Sequence, residues 1–222
     1  MASRSGRLIA GAVAAAVVYA LMWIGFAQNW AVLAVIDDWF LRTFHDIGLA
    51  HPGWVRFWDV FCVVFGPTGF RIVAFGLIVV AVVRRNLATA LFLFVSVELM
   101  GLITEAGKSL SNRPRPSSAL ADAVSTSFPS GHALGAMVGV LSLLTVLWSV
   151  VPAHLRRPVV VAAAALVFLV GLARVILHVH HPSDVVAGWA LGYLYYLLCL
   201  RLVPPRPFTS TAEKLAELDT VP

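Results

Sequence analysis

The chain has 222 residues and a net charge of +5, yet only 12% of its residues are charged and 60% are hydrophobic. With a mean hydropathy of +0.89, against about a quarter charged residues in a soluble domain, the composition excludes a water-soluble globular protein and makes the bilayer its solvent. Its Lys and Arg residues fall in short clusters between apolar runs, so the positive charge fits membrane flanks and not a nucleic-acid-binding stripe.

Arg4 and Arg7 precede an apolar run from Leu8 to about Ala27. That run is too long for a signal-peptide core and lacks a small-residue cleavage site, so it is read as a retained first span. Taking about 20 apolar residues per crossing, the pattern predicts spans at 8–27, 64–83, 88–107, 132–150, 158–177 and 184–202. The expected fold is all-α, a six-transmembrane bundle forming one domain over 1–203, with a short cytoplasmic tail at 204–222. The 28–63 connection mixes Trp30, Asp37, Asp38, Trp39, Arg42, Asp46, Trp54, Arg56, Trp58 and Asp59, a composition suited to helices lying in the headgroup region. Gly66-Pro67-Thr68-Gly69 interrupts the start of the second span. Arg84-Arg85-Asn86 and Arg156-Arg157-Pro158 turn the chain between later spans.

Placing the N-terminus inside puts nine of the 16 Lys and Arg residues on the inner side and seven on the outer. Three of those seven, Lys108, Arg115 and Arg174, belong to the chemical motifs below. Both termini are therefore expected in the cytoplasm. Cys62 and Cys199 then lie toward opposite sides, which argues against a disulfide. The same topology brings the end of the third span, the start of the fourth, the end of the fifth and the start of the sixth to the outer surface.

Those four helix ends carry the charged motifs. Lys108 closes the third span, and Arg113-Pro114-Arg115-Pro116 follows in a loop stiffened by two prolines. Arginine can grip two phosphate oxygens and lysine supplies a point charge; interfacial snorkelling explains the pair equally well when it is taken alone, and Arg113 is read as ordinary interfacial charge. Pro129-Ser130-Gly131-His132 opens the fourth span. A helix start offers backbone N–H groups to an anion, serine adds a hydroxyl, and a histidine there can protonate a leaving oxygen, although a plain helix cap has the same appearance. Arg174, His180 and Asp184 form the third cluster. Spaced four apart at a helix start, His180 and Asp184 can share a face, leaving one ring nitrogen free to attack phosphorus. His178, His180, His181 and Asp184 include metal-ligand types, but three neighbouring cations oppose a metal ion there, and no cofactor is expected.

Together, Lys108-x6-Arg115-Pro116, Pro129-Ser130-Gly131-His132 and Arg174-x5-His180-x3-Asp184 resemble the three-part signature of the type 2 phosphatidic acid phosphatase, or lipid phosphate phosphatase, superfamily. The resemblance implies that His180 attacks phosphorus, Asp184 orients it, and His132 protonates the leaving group and then activates water. It also implies that Lys108, Arg115, Ser130, Gly131 and Arg174 hold the phosphate, with no metal. Ala173 departs from a serine often found before the arginine in that family, which removes one phosphate donor. His178 and His181 match no motif position and are read as local environment.

Within the third span, Glu105 is expected to steady Lys108 and Glu98 to make a polar contact inside the bundle or beneath the site. The expected activity is hydrolysis of a phosphate or diphosphate on a lipid at the outer leaflet of the plasma membrane. Polyprenyl diphosphate, phosphatidylglycerophosphate and phosphatidic acid are all candidates. The alternative is a lipid-binding or transport protein without turnover, which would not need a nucleophile, orienting carboxylate and acid together. Oligomeric state and gating by the 28–63 connection are not legible.

Overall fold

In the computed structural model, residues 4–123, 125–206 and 208 are described; most of the predicted tail, including Lys214, lies outside them. Nine α-helices account for most of the described residues, and no strand occurs among them. They are α1 (Arg4–Ala27), α2 (Ala31–Ala50), α3 (Pro52–Phe65), α4 (Pro67–Val83), α5 (Leu87–Leu93), α6 (Met100–Ser111), α7 (Gly131–Leu147), α8 (Arg156–Ile176) and α9 (Pro182–Leu202). Six stretches are long and apolar enough to cross a membrane, which makes this a multi-pass membrane protein.

The observed spans match the predicted ones with informative shifts. The second begins at Pro52, not at residue 64, because α3 and α4 form one apolar stretch of 32 residues broken only at Gly66. Pro67 disfavours helical backbone in the residue before it, and Gly66 sits at ψ −170°. The third span runs from Leu87 to Ser111 with a wide π turn at Phe94–Glu98. There the Ser96 hydroxyl bonds to the Phe92 carbonyl at 2.7 Å and also accepts from Ser142 Oγ of α7 at 3.1 Å, a polar tie between two membrane helices.

The core of the bundle is filled by Phe92, Leu93, Val97, Met100, Leu134, Val138 and Val146. Helices α7 and α9 pack closely, with α1 against the other side of α9. Gly188 permits the α7–α9 approach, since a Cβ there would lie 2.5 Å from the Ser130 carbonyl. Exposed apolar side chains such as Val13, Ile72, Val79, Val161 and Phe168 present an outward face suited to lipid. Cys62 and Cys199 are both buried and unbridged.

At one end of the bundle, Asn86 and Thr89 bind the Arg206 carbonyl, and the Ser149 hydroxyl binds that of Phe208, closing the surface. The opposite end holds the close of α6, the start of α7, the close of α8 and the start of α9. A loop over 112–130 covers it, pinned to α1 by Phe128, which is fully buried among Tyr19, Trp23 and Phe26 at ring distances of 5.7, 5.7 and 6.0 Å.

Candidate active site

Four helix ends and two loops bring all eight predicted residues to this end of the bundle. Arg174 lies in the last turn of α8, and its carbonyl accepts from the N–H groups of Val179 and His180 at 3.2 and 3.3 Å. His178 adopts a left-handed φ of 56° within that turn. The result is a tight loop that delivers His180 just before α9, with the ring 2% exposed.

The two edges of that ring meet different partners. His180 Nε2 lies 3.3 Å from Arg115 Nη1, while Nδ1 lies 3.7 Å from Asp184 Oδ2. The second distance is a close electrostatic contact, longer than a hydrogen bond. Because a guanidinium only donates, its contact with Nε2 places the lone pair there and the ring proton on Nδ1, toward Asp184. Burial is the main force holding the His180 pKa down, to about 4; the Arg174 and Arg115 charges add to it and Asp184 opposes them. The imidazole is thus neutral at pH 7, the state a nucleophile requires.

Asp184 is fully buried and heavily committed. As the third residue of α9 it turns back to cap the helix: Oδ2 accepts from the His181 backbone N–H at 2.8 Å and lies 3.1 Å from His181 Nδ1. Its Oδ1 accepts from Arg113 Nη1 at 2.6 Å. The expected sharing of a helical face by His180 and Asp184 is replaced by this geometry, because α9 starts at Pro182, after His180.

Lys108, in the last turn of α6, donates to Ser125 Oγ at 2.7 Å and lies 3.9 Å from Glu105, the partner expected from sequence. Arg115 holds the Ser125 carbonyl through Nε at 2.9 Å and the Val179 carbonyl through Nη1 at 2.6 Å. Burial and the neighbouring Arg174 charge both lower its pKa, a sign of how closely the cations are gathered. His132, on the first turn of α7, feels the charges of Arg174, Lys108 and Arg115.

Ser130 caps α7, its Oγ accepting from Ala133 N at 3.4 Å, and its own N–H donates to the Asp184 carbonyl at 2.9 Å. That N–H is therefore spent on α9. The anion-facing donors left at this helix start are the first-turn N–H groups of Gly131 and His132 and the serine hydroxyl proton.

Arg113 corrects the sequence reading. It is 9% exposed and does not snorkel: besides Asp184 it binds Ser183 Oγ at 2.7 Å and Asp37 Oδ2 at 2.9 Å, and it lies over the Phe26 ring at 4.9 Å. Asp37 is equally unlike the interfacial charge expected of it, being 2% exposed. His181 also does more than fill space, since it touches Asp184. Glu98 Oε1 is buried without a hydrogen-bond partner, so the polar contact expected of it within the bundle is not made by that oxygen.

A cavity of about 670 Å³ opens beside Arg115 and His181, walled by α2 residues Asp38, Arg42, His45 and Asp46 and by Ser117, Ser118 and His178. A smaller one of about 220 Å³ shares Arg115 and His181 but is lined by Phe26, Trp30, Leu33 and Ala34. Both approaches mix polar and apolar side chains, the smaller one also being lined by Asn29, Asp37 and Arg113. Among the described residues no group of three or more His, Cys, Asp or Glu side chains could hold a metal ion.

A sequence model of the PAP2 superfamily matches residues 89–208. The crystal structure of a transmembrane PAP2-type phosphatidylglycerolphosphate phosphatase from Bacillus subtilis superimposes with a TM-score of 0.63 at 25% identity, covering 85% of this chain and 93% of that one. No curated protein sequence matches the chain.

Proposed function

Because the chain belongs to the PAP2 superfamily, we propose that it is a membrane lipid phosphatase that works through a phosphohistidine on His180 without a metal. The observation that carries this reading is the environment of His180 Nε2. It faces the Arg115 guanidinium at 3.3 Å, with Asp184 on the opposite edge of the ring and Lys108, Arg174 and His132 close by.

In the first step Nε2 forms a bond to phosphorus and the phosphorus–oxygen bond to the lipid breaks. The leaving oxygen takes a proton from His132, and Asp184 stabilises the cationic ring. In the second step His132 takes a proton from water, whose oxygen attacks phosphorus and releases Nε2. Lys108, Arg115, Arg174, the Ser130 hydroxyl and the Gly131 N–H offset the charge that builds on the phosphoryl oxygens. Three cations and no second carboxylate at the phosphate position favour an anionic ligand over a metal ion.

A substrate with a polar headgroup and a long apolar chain suits a charged site at helix ends beside the apolar outer face of the bundle. A polyprenyl diphosphate or phosphatidylglycerophosphate meets both requirements, and the Bacillus subtilis relative is named for the latter. The Lys and Arg distribution favours cytoplasmic termini and a site at the outer leaflet of the plasma membrane.

The test is phosphate release by the purified protein in detergent with EDTA present, from undecaprenyl diphosphate, phosphatidylglycerophosphate and phosphatidic acid, against His180→Ala. Release that disappears in the variant is expected, and the ranking of lipids identifies the substrate. No release from any lipid by folded protein would favour a binding or transport role instead.

A further inference from the structure

Two charged side chains with no part in the reaction above lie buried near Asp184, Arg113 in contact with it and Asp37 in contact with Arg113. Arg113 joins Asp184 Oδ1 at 2.6 Å to Asp37 Oδ2 at 2.9 Å. Asp37, from α2, also accepts from the Ser183 backbone N–H at 2.9 Å and from the Ser183 hydroxyl at 2.5 Å, at the second position of α9. A helix that sequence reads as lying at the interface is thereby wired into the start of the helix that carries the orienting carboxylate.

We propose that Asp37 and Arg113 are positioning residues for the phosphatase reaction: Arg113 fixes the Asp184 carboxylate, and Asp37 neutralises Arg113 so that the charge of Asp184 stays available to His180. This rests on the roles given above to His180 and Asp184.

Charge balance matters in so buried and weakly screened a place. Two carboxylates and one guanidinium leave one net negative charge beside His180, which must become cationic when Nε2 bonds to phosphorus. Without Asp37, the guanidinium would cancel Asp184, which His181 Nδ1 of the same turn also contacts at 3.1 Å, and leave the ring facing Arg174 of α8, Arg115 of the loop and His132 of α7 with no net counter-charge. Desolvating Arg113 for its fork alone would be costly; the second carboxylate offsets that and leaves the first free to act.

Asp37→Asn keeps an oxygen to accept from the Ser183 N–H, so it removes charge more than shape. The double variant Asp37→Asn/Arg113→Gln removes both charges of the buried pair and returns the balance beside His180 to one negative charge. With the full chain in detergent, the D37N single variant is expected to lose about tenfold in kcat with KM within about threefold. Loss of negative charge lowers the His180 pKa, so the acid limb of kcat/KM moves to lower pH. The double variant returns the limb to its wild-type position and recovers part of kcat. A role of Asp37 as a mere pin for α2 predicts the opposite, with the double variant no faster than the single one and no movement of the limb in either; that result, or kcat within twofold of wild type in D37N, overturns the proposal. If D37N does not fold, the double variant decides: a wild-type limb with kcat reduced less than tenfold supports the proposal, and a displaced limb or larger loss overturns it. His180→Ala, run alongside, separates the two levels. Wild-type activity in that variant would remove the catalytic reading and the inference with it, whereas an inactive His180→Ala beside an unaffected D37N removes the inference alone.

Discussion

Gly66 is a position where the structure leaves no room for an added side-chain atom beside the site. A Cβ at this position would press on the Cys62 carbonyl and lie 2.9 Å from Cδ2 and 3.2 Å from Nε2 of His132. Those two atoms belong to the imidazole proposed as the proton donor. In Gly66→Ala the ring must retreat by about 0.5 Å to restore ordinary contact, and the end of α3 must yield as well, at an overpacking cost of about 1–3 kcal/mol. Since a displacement of about 1 Å at a reacting group can cost about 100-fold, kcat is expected to fall about 10- to 100-fold. KM should change little, because the phosphate-binding cations do not touch Gly66. The assay is steady-state phosphate release in detergent, paired with rapid-quench detection of phosphoenzyme, whose formation should slow because leaving-group protonation is impaired. A monodisperse Gly66→Ala protein with kcat within twofold of wild type would refute the reasoning, showing either that His132 has room to move without consequence or that it is not the acid.

Two further outcomes follow from other parts of the molecule. Phe128→Ala empties the space between Tyr19, Trp23 and Phe26 and should destabilise the protein by about 3–5 kcal/mol, read as a lower thermal midpoint, with the 112–130 loop becoming more susceptible to protease. His180, held neutral with a pKa near 4 against 6.5 when unfolded, makes the unfolded chain bind more protons than the folded one as pH falls between those values. Stability is then fully present above about pH 6.5 and declines toward pH 4 by up to about 3 kcal/mol; thermal midpoints across that range should fall less steeply in His180→Gln than in wild type.

Most of the site was legible because its chemistry is local in sequence. Lys108 with Arg115, Ser130 with His132, and Arg174 with His180 and Asp184 each sit at a helix end, and alternation of the spans carries those ends to one side. Asp37 and Arg113 were hidden for different reasons. Arg113 stands beside Arg115 in a run that also fits a membrane flank, and nothing local shows which of the two turns inward. Asp37 sits next to Asp38, yet only Asp37 lines up with Leu41 and Gly48 on the buried face of α2, while Asp38 pairs with exposed Arg42 at 3.4 Å. Helical periodicity through that apolar face was the available signal. The join at Gly66 was visible as a break, but not that α3 would continue the membrane crossing, because Trp54, Arg56, Trp58 and Asp59 give its first half the look of a surface helix.

The turn of Asp184 onto the backbone of His181 has a consequence for how any substitution there must be interpreted. One carboxylate starts the last membrane helix and also faces the nucleophile, so deleting it removes a fold element and a chemical element together. An inactive Asp184→Ala protein would therefore not distinguish a mispositioned histidine from an unravelled first turn. Asp184→Asn keeps an oxygen for the His181 N–H but discards the negative charge, and so separates the two duties that a single side chain otherwise fuses.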